Sequence, residues 1–178
     1  MSTRGVWRAA WGMARLLGLA IAAPCVARAQ APAALGAAQA AAIGDSVRAM
    51  LAAFNADAAA GRWEAMVGWY DDRPAFRWVE NGVVRYRSRD DIRRGLAALP
   101  PGLRVETRYT DTEVTALAPG VALLVTAFET TFTGMGPQPF RFGGLLTATV
   151  VRRAEGWRFA SGHSSSPPPP GSPGDRSR

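Results

Sequence analysis

The sequence predicts an α+β fold, in which helices pack against a curved, mostly antiparallel sheet. Three observations lead there. Apolar residues recur at spacings of three and four between Ile43 and Ala58. An Asn81-Gly82 pair separates two short β-rich runs, and from Leu103 onward the chain is dominated by long β-branched and aromatic runs parted by turn residues. Helices that precede and interrupt a series of strands form segregated layers rather than alternating βαβ units.

Each element can be justified in order. Ile43, Val47, Met50, Leu51, Phe54 and Ala58 make one apolar stripe, and Gly61 ends that helix or opens the next. Trp63, Met66, Val67 and Tyr70 give a second, shorter amphipathic helix that stops at Asp71-Asp72-Arg73-Pro74. Phe76–Glu80 and Val83–Arg87 flank Asn81-Gly82, a hairpin signal because both turn residues need positive φ. A two-residue turn there would set Trp78 opposite Arg85, with the guanidinium over the indole face. Ser88 followed by Asp91 resembles a capping box, so a third helix starts there, with Ile92, Leu96 and Leu99 as its stripe and Pro100-Pro101-Gly102 as its stop. Four consecutive antiparallel strands follow. Leu103, Val105, Thr107 and Tyr109 alternate before a bulge or bend at Thr110-Asp111-Thr112. Pro119-Gly120, Gly134–Pro137 and Glu155-Gly156 are the turns that lead into Val121–Thr133, Phe140–Arg153 and the strand of Trp157.

The ends read differently from this middle. Arg4, Arg8 and Arg15 precede the apolar run Leu16–Ala23, and Ala27-Arg28-Ala29 supplies a small-x-small cleavage site before Gln30. Residues 1–29 are therefore expected to be a secretory signal peptide and the mature protein to be secreted or periplasmic, without a stable membrane anchor after cleavage. An uncleaved anchor and a lipoprotein attached through Cys25 are the alternatives; Pro24 fits a lipobox poorly. Residues 30–42 are expected to be an Ala-rich linker or a frayed start of the first helix, and residues 43–165 the folded domain. Residues 166–178 are expected to be a disordered or polyproline-like tail, with a proline-recognition ligand as the functional alternative.

Charge and cysteine usage narrow the function. The formal charge of +7 includes four leader arginines, so cleavage leaves +3. Basic residues alternate with acids, as in Arg89-Asp90-Asp91-Ile92-Arg93-Arg94, which does not support nucleic-acid binding. The single cysteine lies in the leader, and no Cys/His cluster suggests a metal. No cofactor is expected.

The order of elements carries a resemblance. Phe54-Asn55-Ala56 at the end of the first helix, Trp69-Tyr70-Asp71-Asp72 before the first strand and the closing Gly156-Trp157-Arg158-Phe159 with His163-Ser164-Ser165 all match it. Over roughly residues 43–165 the chain resembles a SnoaL-like domain of the nuclear transport factor 2-like superfamily. That resemblance implies a cone-shaped fold, three helices on a strongly curved sheet around a pocket, and a possible homodimer. The superfamily includes steroid isomerases, dehydratases, epoxide hydrolases, polyketide cyclases and members without catalysis. In its ketosteroid isomerase branch an aspartate base follows the tyrosine of the Tyr-x-Asp-Asp-like segment by eight positions, and a tyrosine precedes the helix-one asparagine by five. The corresponding positions here are Trp78 and Met50, so that mechanism is disfavoured.

Candidate site residues follow from strand alternation. Trp157, Phe159, Ser161 and His163 share one face of an unbulged strand, and the two aromatics make that the buried face. A two-residue turn at Glu155-Gly156 puts them on the face of Phe140 and Phe142, and a three-residue turn puts them on the opposite one. The first option matches aromatics with aromatics and brings in Leu124, Phe128 and Phe132, with Thr126 and Thr130 as polar members and Glu129 facing away. Tyr70, Trp78, Tyr109, Phe128, Phe142, Trp157 and Phe159 are thus candidate pocket residues, with Asp71, Asp72 and Thr126 as polar ones. His163, the only histidine, is the catalytic candidate, because an imidazole exchanges protons near neutral pH. Each has a structural alternative: His163 bonded to Ser161 or Thr126, Asp71 and Asp72 as turn and capping residues, and the aromatics as core.

Two functions are consistent with this reading. One is a secreted small-molecule pocket protein for an unidentified apolar or aromatic ligand, with weak acid–base chemistry at His163. The other is a non-catalytic dimeric interaction module whose core is filled.

Overall fold

The computed structural model describes residues 35–134 and 136–167, all within one compact unit. The expected leader, its cleavage site and most of the proline-rich tail lie outside the described residues. The elements are α1 (Ala37–Ala59), α2 (Trp63–Val67), β1 (Arg77–Glu80), β2 (Val83–Tyr86), α3 (Arg89–Ala97), β3 (Arg104–Ala118), β4 (Val121–Thr133), β5 (Phe140–Arg153) and β6 (Gly156–Ser165). They form one six-stranded sheet in the order β2-β1-β6-β5-β4-β3. All pairings are antiparallel except β1 with β6.

The helices follow their apolar periodicity. Ile43, Val47, Met50, Leu51 and Ala58 of α1 are buried, and this face lies across β3 and the neighbouring strands. The helix begins six residues before Ile43, so residues 37–42 of the expected linker are helical, as alanine favours. Helix α2 ends at Val67, earlier than its stripe suggests, because the chain after Gly68 turns to pair with β6 instead. Asp71 N–H donates to the Phe159 carbonyl (2.8 Å) and Phe159 N–H to the Trp69 carbonyl (2.9 Å). Helix α3 is capped as expected: Asp91 N–H donates to Ser88 Oγ at 3.1 Å, and Asp91 Oδ2 accepts from Arg87 N–H at 2.8 Å. Glu64 accepts from the Arg93 guanidinium and ties α2 to α3.

Strand details differ from simple alternation at four register shifts, three of which bear on the candidate residues. The β1–β2 turn has Asn81 and Gly82 at φ 48° and 80°, as the pair requires. A register shift beyond Val79, however, pairs Trp78 with Tyr86, so Arg85 is extruded and lies over the Tyr86 ring (5.8 Å) rather than over Trp78. The anticipated bulge in β3 is present, with Asp111 at φ 51°. The third bulge lies in β6. Val150 pairs with Phe159 and Thr149 with Ser161, leaving Ala160 without a partner of its own. The β5–β6 loop is Ala154-Glu155, one residue earlier than expected, which preserves the two-residue parity.

The concave face of the sheet carries Leu124, Thr126, Leu146, Ala148, Val150, Trp157 and Phe159, all buried, and α1 covers part of it. The three long strands β3, β4 and β5 continue past the end of β6. Beyond the row that joins Glu80, Ser164, Leu146 and Thr126, three further inward-facing rows of β4 and β5 overhang with no paired β6 residue, and the Ser165–Ser166 backbone lies against the first of them at Gly144.

Candidate functional site

That overhang, α1 and the first hairpin enclose a hollow of about 350 Å³. Its apolar lining includes Phe54, Trp78, Phe128, Phe132, Phe142 and Leu146. Its polar groups are Tyr70, Tyr109, Thr107, Thr130, Glu80, Asn81, Ser164 and Ser166. Alternation explains most of the set. Residues 128, 130 and 132 of β4 and 142 and 146 of β5 point to the concave side, as do 107 and 109 of β3.

Tyr70 is held by aromatic edges on several sides. Its ring lies 5.4 Å from Trp78 at 87°, 5.8 Å from Phe76 at 77° and 5.6 Å from Phe159. Burial pushes the Tyr70 hydroxyl well above the ordinary tyrosine range, and the nearby Tyr109, Tyr86 and Glu80 raise it further. Burial does the same to Tyr109. Both hydroxyls are therefore fixed as neutral donors. Among the described residues neither is engaged in a side-chain hydrogen bond.

Glu80 ends β1 at the rim of the hollow. Partial burial raises its carboxyl pKa above the ordinary value, and this outweighs the opposing pull of Arg85, whose Nε lies 3.9 Å from Oε2, and of the Trp78 indole. Asn81 and the end of β6 close the rim beside it. Asn81 N–H donates to the Ser164 carbonyl (2.9 Å), and Ser166 N–H donates to Asn81 Oδ1 (2.8 Å). Within the wall, Thr107 and Thr130 hydroxyls are hydrogen-bonded to each other at 2.9 Å, and Asn55 Nδ2 donates to the Thr107 carbonyl at 2.8 Å.

The structure divides the sequence-derived candidates. Tyr70, Trp78, Tyr109, Phe128 and Phe142 come together around the hollow. Phe159 is fully buried and packs under Tyr70 and Trp78 as core, and Trp157 is buried farther along β6. Thr126 is also fully buried. Its hydroxyl donates to the Thr110 carbonyl (2.9 Å) and accepts from Thr112 Oγ1 (2.8 Å), which pins the β3 bulge rather than facing a ligand.

Three expectations are corrected. His163 does not turn inward. It is exposed on the outer face of the sheet, in a shallow depression with Arg77, Val79, Thr147, Thr149 and Ser161. The bulge at Ala160 reverses the alternation after Phe159, so Gly162 takes the inward position, beneath the Trp78 ring. Asp71 is buried but not at the hollow: its carboxylate accepts from Arg153 Nε (2.9 Å) and Nη2 (2.6 Å) in a bidentate pair. Asp72 is exposed beside it, 3.8 Å from Arg89.

Glu80 was not among the sequence candidates. Its signal was available, because it lies two residues after Trp78 on the same strand and so shares the Trp78 face.

No group of three or more His, Cys, Asp and Glu side chains is arranged for a metal among the described residues. None of the curated proteins is a match to the chain. The family model described as a SnoaL-like domain matches residues 47–169. Solved structures share the fold. A scytalone dehydratase-like protein from Novosphingobium aromaticivorans superposes with a TM-score of 0.63 at 9% identity, covering 72% of this chain and 86% of that one. A dehydratase-like protein of the nuclear transport factor 2-like family from Streptomyces avermitilis gives 0.62 at 18% identity, with 72% and 98% covered. A ketosteroid isomerase-like protein from Erwinia carotovora atroseptica gives 0.59 at 16% identity, with 70% and 96% covered. The chain belongs to the SnoaL-like domain family, with the nuclear transport factor 2-like fold.

Proposed function

We propose that this SnoaL-like domain captures a small molecule with an apolar or aromatic body in the hollow under α1, and that Glu80 exchanges a proton with its polar head. One observation carries the reading: a carboxyl of raised proton affinity stands at the rim of an aromatic-walled cavity that also holds two tyrosine hydroxyls. A carboxylate tuned toward neutral pH is a better general base than an ordinary one. Tyr70 and Tyr109, which burial keeps protonated, can donate hydrogen bonds to negative charge that develops on a ligand oxygen. In such a step a C–H or O–H bond of the ligand breaks, the proton goes to Glu80, and the electron pair is drawn toward the oxygen facing the tyrosines. The dehydratase-like and ketosteroid isomerase-like names of the structural neighbours are compatible with proton transfer of this kind.

A simple phenol tests the site, since its ring suits the aromatic walls and its hydroxyl suits the polar groups that line the same hollow, Glu80 among them. 4-Ethylphenol is expected to bind the mature protein with Glu80→Gln weakening it about 10-fold, Tyr109→Phe by severalfold and His163→Ala by less than twofold. Absence of binding, or dependence on His163 in place of Glu80, overturns the reading.

A homodimer through the outer face of the sheet is a second proposal. Leu145 is 48% exposed there, cross-strand from Ala127. Leu145→Arg should then halve the molar mass in sedimentation. Export to the periplasm or beyond is proposed on the leader pattern, and N-terminal sequencing of the exported protein should begin at or near Gln30.

A further inference from the structure

The hollow does not end at its enclosed part. Along the overhang the inward positions of β4 and β5 form successive rows: Phe128 with Gly144, Thr130 with Phe142, and Phe132 with Phe140. At Gly144 the Ser165–Ser166 backbone takes the place of a side chain, and the Phe128 ring meets Phe142, one row on, edge-on at 5.7 Å and 81°. Phe142 then stacks on Phe132 (5.7 Å, 11°) and on Phe140 (5.9 Å, 27°). Phe128, Phe132 and Phe142 line the hollow; Phe140 continues the same face outward and is 55% exposed. An aromatic ring on a strand's buried-side face that remains half in water is an apolar surface without a partner.

We propose that this phenylalanine ladder is a rail for the apolar tail of an elongate ligand, whose polar head sits at Glu80, Tyr70 and Tyr109. The inference rests on the reading of the hollow as a ligand site and names the class of ligand: one polar head, one long hydrocarbon or fused-ring tail. The dimensions argue for length rather than bulk. From the row of Thr126, level with Glu80, to Phe132 the chain advances six residues, about 20 Å at roughly 3.3 Å per residue. A single ring bound at Glu80 cannot reach Phe140 over that distance. The rail is continuous with the hollow and almost free of polar side chains, with Thr130 already engaged by Thr107. Such a surface rewards each added methylene but offers nothing to a second polar group.

The test compares 4-ethylphenol with 4-octylphenol, followed by tryptophan fluorescence on the full mature chain. Each fully buried methylene tightens binding about fourfold, so six methylenes on a half-open rail should tighten it at least about 50-fold. Phe140→Ser should weaken 4-octylphenol about fivefold and leave 4-ethylphenol within twofold, and Phe140→Leu should restore most of the loss. If 4-ethylphenol binds but the octyl compound gains less than about fivefold, or if Phe140→Ser weakens both equally, the rail is wrong and the hollow reading stands. If Phe140→Ser changes the molar mass and not the binding, a second copy of the chain covers that ring, and the rail is again wrong. If neither phenol binds, the hollow reading falls and the rail with it.

Discussion

Replacing Asp71 with Ala should destabilise the domain by about 2–3 kcal/mol without touching ligand capture. The magnitude comes from the two charge-assisted hydrogen bonds to Arg153, at 2.9 and 2.6 Å. Bonds of that kind contribute about 1.5–3 kcal/mol each when both partners are dry. The Asp71 side chain is 5% exposed but that of Arg153 is 26% exposed, so water can satisfy the stranded guanidinium in part. The loss should stay below the roughly 3–5 kcal/mol of a fully buried broken pair. A double-mutant cycle with Arg153→Met, followed by urea unfolding, isolates the coupling, expected near 2 kcal/mol at pH 7. Arg153 holds the Asp71 carboxyl below its ordinary value of 3.8, so the stabilisation is present above that value. It is lost as the pH falls through the lower folded value. The coupling should therefore persist at pH 5 and fade toward pH 2. A coupling under about 0.5 kcal/mol, or one that does not change with acid, would refute the reasoning.

Two further perturbations address the site itself. A Cβ added at Gly162 would lie 2.2 Å from the Trp78 ring, so Gly162→Ala should cost about 1–3 kcal/mol in chemical denaturation and shift the tryptophan emission, whereas His163→Ala next door should stay within about 0.5 kcal/mol. Glu80→Gln should raise the thermal midpoint at pH 7, because burial lifts the folded carboxyl's pKa and its ionisation opposes folding there; at pH 3, well below the ordinary 4.5, both states of the wild type carry the proton and the difference should vanish. A lower midpoint for the variant at pH 7 would contradict that origin of the shift.

Most of the fold was legible because its signals are local. The α1 stripe, the Asn81-Gly82 turn, the Ser88 cap and the break at residues 110–112 each depend on a few neighbouring residues. So was the aromatic wall: Phe128 and Phe142 follow from period-two alternation on unbroken stretches of β4 and β5. Facing was lost where a strand carries an extra residue. Ala160 has no β5 partner, and nothing in Arg-Phe-Ala-Ser-Gly marks it as a bulge in advance; its consequence was to send His163 outward and Gly162 inward. The inward Gly162 is intelligible only once Trp78, from a strand far away in sequence, is seen lying across it. Arg85 left its expected place over Trp78 for the same kind of reason, a register shift within a four-residue strand. Asp71 carried a charge whose partner lies 82 residues away, a pairing the sequence does not announce. Glu80 was within reach of the alternation that identified Trp78, but the single histidine drew attention as the acid–base group.

The most direct test follows the Glu80 carboxyl carbon by NMR across a pH titration, with the hollow empty and then filled by 4-ethylphenol. The expected midpoint in the free protein lies above the ordinary glutamate value of 4.5, and filling the hollow should displace it while the Glu129 resonance, on the outer face of β4, is unaffected by the ligand. An ordinary midpoint that the phenol leaves in place would separate Glu80 from the cavity and contradict the proposed site.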